Sequence, residues 1–226
     1  MTRNIGKKKI ICLIPARKGS KRIQDKNLKK INGKPLIYYA YNAANISKIN
    51  KIYLATTSEK IIKTSKRFKN LEIFYRSRNS EKDNSTTEKL IKEFIKKISN
   101  FDVLILLQCT NIFITKEVLK KAINKFLINK YDSMLSVVKS NHFLWKITNE
   151  NNVKPLNYNP KKRPRSQNLK NNLAENGSFY IFKKNGFLKN NCRLFGNIGY
   201  YIMNKESIHE IDTNEDLKIV KKLKKK

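Results

Sequence analysis

Two groups of side chains, near opposite ends of the sequence, have the types and spacing to do chemistry. The first is "IPARKGSKRIQDKN" at 14 to 27, which sets Arg17, Lys18, Lys21, Arg22 and Lys26 around Gly19 and Ser20. A flexible backbone there can approach phosphate oxygens while several cations neutralise them. The spacing is neither G-x-x-x-x-G-K-[ST] nor G-x-G-x-x-G, so the residues alone allow a polyphosphate pocket or a solvated basic loop. The second group is "EIDTNEDL" at 210 to 217. Glu210 and Asp212 are two apart in a segment read as extended, so they project to the same side. Two hard oxygen donors on one face suit Mg²⁺ or Mn²⁺ bridging to phosphate oxygens. The plainer reading gives Asp212 to the N-terminus of the next helix, beside a capping-box-like pair of Thr213 and Asp216.

The elements that must position these groups alternate between strand and helix for two thirds of the chain, which predicts crossover units and a largely parallel sheet. Residues 9 to 15 read as the first strand, and the basic run leaves its carboxyl end. With strands laid down in sequence order, such loops line the ligand crevice. Pro35 then opens a helix running to Ser47. Strands follow at 51 to 57 and 71 to 75, separated by a helix over 58 to 68. "RSRNSEKDNSTT" loops to a helix with Leu90, Ile91, Phe94, Ile95 and Ile98 on one face. "DVLILLQ" at 102 to 108 is uninterrupted apolar strand, the kind buried on both sides, and is placed at the sheet centre. Thr115 caps the next helix, and a strand over 133 to 139 pairs back. From about 140 to 175 the Asn, Pro and Lys content is poor material for a core. That stretch reads as a linker, or as a protruding arm or small dimerisation subdomain within a single domain of 1 to 226. Strands resume at 178 to 182 and 198 to 203, and the chain closes as a helix.

Composition bounds the answer. A chain of 226 residues that is 39% hydrophobic can bury one substantial α/β core. Against 17 acidic residues stand 50 basic ones, a formal charge of +33. That excess suggests a polyanionic partner, but the basic residues are spread over the whole chain and most are Lys, whereas phosphate and base readers favour the Arg fork. Most of the lysines are therefore assigned to a solvated surface. Cys12, Cys109 and Cys192 are three, with no metal-ligand spacing, which fits a reducing, cytoplasmic compartment. The longest apolar runs fall well short of the roughly 20 residues of a membrane helix, and no signal pattern opens the chain.

The opening motif resembles the signature of the cytidylyltransferases that activate sialic acids and their relatives, approximately [IL]-x-A-R-x-x-S-K-x-[IL]-x-x-K-N. The resemblance continues through "GKPL" at 33 to 36, "LLQCTN" at 106 to 111, "ENGSFYIF" at 175 to 182 and "EIDTNEDL" at 210 to 217. It implies a Rossmann-like nucleotide-diphospho-sugar transferase fold, a mostly parallel central sheet flanked by helices, with a small dimerisation arm. It also implies transfer of CMP from CTP to the anomeric hydroxyl of a nonulosonic acid such as sialic, legionaminic or pseudaminic acid, releasing pyrophosphate and supplying surface glycan synthesis (lipopolysaccharide or capsule).

Carried over by position, the resemblance makes Arg17 and Lys21 the triphosphate-holding and catalytic cations, with Asp212 as a third catalytic residue. Lys26, Asn27, Ser85 and Gln108 join them as nucleotide contacts. Gln108 also reaches the sugar, with Lys146, Arg165, Gln167 and Asn176, and Phe195 completes the wall. Glu210 and Asp212 become ligands of Mg²⁺ or Mn²⁺. The implied partners are CTP, a nonulosonic acid and a second copy of the chain, with no nucleic acid and no membrane insertion. The sequence departs from the family pattern at Cys109 and Asn111, where Pro and Ser are usual, at Asn168 and Lys170, where Asp and Pro are usual, and at Glu210, often Asp. The rival readings are a Kdo or other sugar nucleotidyltransferase and, from another class, a basic nucleic-acid-binding protein.

Overall fold

The computed structural model describes residues 8–20, 22–82, 84–169 and 172–224. Its centre is a seven-stranded sheet built from β1 (Ile10–Pro15), β4 (Lys51–Ala55), β5 (Leu71–Phe74), β6 (Val103–Leu107), β7 (Ser133–Lys139), β10 (Leu173–Lys183) and β11 (Ile198–Ile202). Their order is β11-β7-β10-β6-β1-β4-β5. Pairing is parallel except along β10, which runs antiparallel to both β6 and β7. β6 is the middle strand and all five of its residues are buried, as its unbroken apolar run predicts.

The strands do not lie in sequence order, and the difference makes the site. β1 pairs with β4 on one side and with β6 on the other, so the chain's progression across the sheet reverses at β1. Loops leaving the ends of β1 and β6 therefore part in opposite directions and open a crevice between them.

Alternation along each strand sorts the core into two layers. Cys12, Ile14, Ile52, Leu54, Ile105, Leu107 and Phe179 face one layer, which α1 (Leu36–Ala44), α2 (Glu59–Ser65), α5 (Lys116–Ile128) and α7 (Asn214–Leu223) cover. Leu13, Tyr53, Leu104, Leu106, Tyr180 and Phe182 face the other, covered by α4 (Thr87–Lys97) and α6 (Lys184–Asn190). Phe94 of α4 is fully buried between Tyr53 and Phe74, with ring centroids at 5.1 and 5.0 Å. Edge-to-face packing of this kind stabilises by about 1 kcal/mol per pair beyond area burial.

Four short elements were not anticipated: the two-residue strands β2 (Lys30–Ile31) and β3 (Lys34–Pro35), the single turn α3 (Arg78–Glu81), and α6. Pro35 is the N-cap of α1 rather than its first helical residue. The excursion after residue 140 carries its own hairpin, β8 (Trp145–Asn149) with β9 (Asn152–Pro155), which pairs with no strand of the main sheet. Phe143, Tyr158 and Trp145 cluster at its base, and the Arg163 guanidinium lies 4.1 Å from the centre of the Phe143 ring. Among the described residues no helix is long and apolar enough to cross a membrane.

Candidate active site

A cleft of about 370 Å³ lies at the carboxyl ends of β1 and β6, where the sheet order reverses. Its wall brings together Arg17, Lys26 and Asn27 from the basic loop, Ser85 before α4, Gln108 after β6, and Glu210 and Asp212 from the approach to α7. Lys21 lies outside the described residues.

The basic loop is shaped by its own contacts. A single helical turn over Lys26–Leu28 follows Asp25, whose φ is 50°. That turn puts Asn27 against the strand end, where its Nδ2 donates to the Arg17 carbonyl at 3.2 Å. Lys26 then reaches across the cleft and donates from Nζ to Asp212 Oδ1 at 2.9 Å, and Arg22 pairs with the other oxygen at 2.9 Å. Burial pushes the Asp212 carboxyl up, but Lys26 and Arg22 more than offset this and hold it below the usual aspartate range.

The acidic segment is held by its neighbours. Ile211 is fully buried and its N–H donates to the Thr110 carbonyl at 2.9 Å, so Glu210 and Asp212 flank an inward anchor. Asp212 is not the helix cap. Thr213 and Asp216 form a complete capping box at the start of α7, which leaves the Asp212 side chain for the cleft. Glu210 Oε2 accepts from Thr110 Oγ1 at 3.3 Å. Burial raises the Glu210 carboxyl, and the charge of Asp212 adds to the rise. Gly177, at a bulge in β10 with φ +56°, makes room for it: a Cβ there would sit 2.3 Å from Glu210 Oε1. This is the physical content of "ENG".

These two carboxylates fit a divalent cation. The charge of Asp212 raises the proton affinity of Glu210, which a bound cation would relieve, and Mg²⁺ typically takes one or two carboxylates and completes its shell with water and phosphate oxygens. Among the described residues no three or more His, Cys, Asp or Glu side chains converge, so substrate and water would supply the remaining ligands.

Several wall residues were missed in the sequence. Arg76 and Lys82 line the cleft beside Ser85, Thr86 and Thr87. Arg76 lies two residues past the end of β5, so the same rule that singled out the loop after β1 applies to it. Burial pushes the Arg76 guanidinium down; Glu81 opposes this and Arg17 adds to it. Arg76 Nε and Ser85 Oγ are buried with no hydrogen-bond partner among the described residues. The N-terminus of α4, capped by Thr86, opens on the same wall. Its partial positive charge favours an anion there.

The expected sugar contacts are not gathered in this way. Of them, Gln108 lines the cleft. Lys146 is exposed on β8, and Arg165 and Gln167 are exposed at a short helical turn over Ser166–Asn168. Asn176 is fully buried and donates to Ser207 Oγ at 2.8 Å. Phe195 is buried against Gly186 in the aromatic layer. Cys109 lies on the cleft floor with its thiol pushed up to about 12 by burial, far from the thiolate a nucleophile requires.

A family model described as cytidylyltransferase matches residues 11–226. Among curated relatives, N-acylneuraminate cytidylyltransferase A of Danio rerio is 34% identical over 211 residues, 92% of this chain and 49% of that protein. Pseudaminic acid cytidylyltransferase of Campylobacter jejuni is 27% identical over 224 residues, covering 96% of this chain and 97% of that one. The chain thus spans about half the length of the N-acylneuraminate relatives and nearly all of the pseudaminic acid one. Of the solved structures, CMP:2-keto-3-deoxy-manno-octonic acid synthetase complexed with CTP has a TM-score of 0.66 at 19% identity, covering 95% of this chain and 98% of that one. A 4-diphosphocytidyl-2C-methyl-D-erythritol synthase from Anaerococcus prevotii gives 0.71 at 16%, covering 97% of each. These two share the fold, a nucleotide-diphospho-sugar transferase architecture.

Proposed function

The chain belongs to the cytidylyltransferase family, and from that premise we propose that it transfers CMP from CTP to the anomeric hydroxyl of a nonulosonic, sialic-acid-like sugar acid. The bond formed joins the sugar oxygen to the α-phosphorus. The bond broken releases pyrophosphate, and the hydroxyl proton leaves to solvent. The product is an activated donor for surface glycan synthesis. The observation that carries this reading is the meeting of the two motifs: Lys26 and Asp212, 186 residues apart, are in contact across a cleft lined with cations.

Arg17, Lys26 and Arg76 hold the triphosphate, and Lys21 is assigned with them from its place in the motif. Asn27 and Ser85 contact the nucleoside, and Gln108 stands where nucleotide and sugar join. Fixed cations matter here because charge moves onto the leaving pyrophosphate in the transition state, and groups already in place need no reorganisation. Glu210 and Asp212 would hold Mg²⁺ or Mn²⁺. When bound, such an ion supplies charge neutralisation to the phosphate oxygens.

For the acceptor, Lys146, Arg165 and Gln167 belong to an arm whose Trp145, Ile147, Val153 and Leu156 are exposed. Exposed apolar side chains in a projecting hairpin support a homodimer in which the arm reaches the neighbouring subunit. A monomer in sedimentation at micromolar concentration would contradict it. Cys12 and Cys109 are buried and unpaired, which supports a reducing, cytoplasmic setting. The reaction is tested by measuring pyrophosphate release with four nucleoside triphosphates crossed with sialic, legionaminic, pseudaminic and eight-carbon sugar acids. CTP with a nonulosonic acid should be the productive pair, and preference for GTP with a sugar phosphate would refute the assignment.

A further inference from the structure

Behind the two carboxylates lies a buried polar knot for which the proposed reaction gives no direct use. Asn111 is fully buried, yet its Nδ2 donates to the carbonyl oxygens of Asn176 at 2.9 Å and Ser207 at 2.7 Å, and its Oδ1 accepts from the Phe113 N–H at 3.2 Å. Asn176 in turn donates to Ser207 Oγ at 2.8 Å, and that hydroxyl donates to the Asn204 carbonyl at 2.6 Å. One side chain thus ties the turn after β6, the bulge of β10 and the helical turn over Lys205–Ile208 into one unit.

The location of the knot matters more than its size. The segment after Ser207 runs directly into Glu210, Ile211 and Asp212. It is pinned at Ser207 by Asn111 and at Ile211 by the Thr110 carbonyl. Glu210 lies between the two pins, with Thr110 Oγ1 on one of its oxygens and Gly177, beside Asn176, leaving room for the rest. Buried amides satisfied on every side tolerate little displacement, because each lost bond leaves a polar group unpaired.

We propose that Asn111 is a positioning residue: by clasping Ser207 and Asn176 it sets the Glu210 and Asp212 carboxylates for a divalent cation. This rests on the reading of those carboxylates as metal ligands. Groups that orient a ligand from behind typically change metal affinity by about 10- to 100-fold when removed. An alanine at 111 reaches neither carbonyl and leaves both without this donor.

The test is a titration of Mn²⁺ into the full chain with CTP present, following loss of the free-ion electron paramagnetic resonance signal, for wild type and Asn111→Ala. The variant should bind Mn²⁺ about 10- to 100-fold more weakly, bind CTP in EDTA as wild type does, and recover turnover at high Mn²⁺. A folded Asn111→Ala chain with wild-type Mn²⁺ affinity overturns the proposal. Absence of Mn²⁺ binding by wild type with CTP overturns the metal reading, and the proposal with it. If Asn111→Ala fails to fold by circular dichroism, Ser207→Ala takes its place, removing the hydroxyl that accepts from Asn176 and donates to the Asn204 carbonyl and so loosening the same knot. Weakened Mn²⁺ affinity then supports the clasp, and unchanged affinity contradicts it.

Discussion

Lys26 Nζ stands 2.9 Å from Asp212 Oδ1, joining the loop after the first strand to the approach to the last helix. Neither partner is fully buried, the side chains being 14% and 41% exposed, so the pair has little value as a brace. It places a cation and an anion where a triphosphate and its counter-ion would meet. Lys26→Met should therefore lower kcat/KM for CTP by about 10²- to 10³-fold, and Arg17→Ala or Lys21→Ala should be similarly crippling, each without unfolding the chain. Steady-state kinetics beside a thermal melt checks this; a folded variant with wild-type turnover refutes the assignment.

Asp212 and Thr213 are adjacent but do different work. Asp212→Asn should abolish most turnover while leaving the melting temperature near wild type. Thr213→Ala removes the hydroxyl that accepts from the Asp216 N–H at 3.2 Å and should cost about 1 kcal/mol of stability while leaving most turnover. Paired chemical denaturation and kinetics on the two variants separate the roles. Similar profiles for both would mean that Asp212 is structural.

Gly177 and Gly19 differ in the same informative way. At Gly177 the positive φ and the contact with Glu210 both exclude a side chain, so Gly177→Ala should destabilise by more than about 1 kcal/mol and displace Glu210, lowering turnover. A Cβ at Gly19 meets nothing within 4 Å, and Gly19→Ala should leave stability unchanged. Denaturation midpoints decide between them.

A pH effect should appear away from the cleft. Lys183 and the Asn197 N–H hold the Asp132 carboxyl below the usual aspartate range. A group whose folded pKa is depressed contributes stability that is present above its unfolded pKa and is lost as pH falls through the folded one. Asp132→Asn should therefore melt below wild type at pH 7, and the two curves should converge in acid. A constant gap across that range would contradict the linkage.

How much of this was legible depended on where the determining interactions lie. Segments set by local periodicity were readable: β6 from its unbroken apolar run, α4 from Leu90, Ile91, Phe94 and Ile95, and the Thr115 and Thr213 caps from side chains bonding within one turn. The two ends of the site were readable because their residue types imply chemistry. The reversal of strand order at β1 was not, since no local pattern records which neighbour a buried strand pairs with. Asn176 reads as a sugar contact from its motif, and the bond its amide makes to Ser207, 31 residues away, left no local trace. Asn111 read only as a departure from a family pattern; its meaning lies in carbonyls 65 and 96 residues distant. Arg76 was concealed by a general excess of cations, though its place after β5 marked it.

The central claim is that one cleft holds CTP and delivers its α-phosphorus to a sugar hydroxyl. Incubating the purified chain with CTP, Mg²⁺ and a set of nonulosonic acids, then resolving products by mass, tests this most directly. The account predicts a CMP-sugar formed in equal amount to pyrophosphate, absent without Mg²⁺ and lost in Asp212→Asn. Release of pyrophosphate without a CMP-sugar, or product formation undiminished in Asp212→Asn, would contradict it.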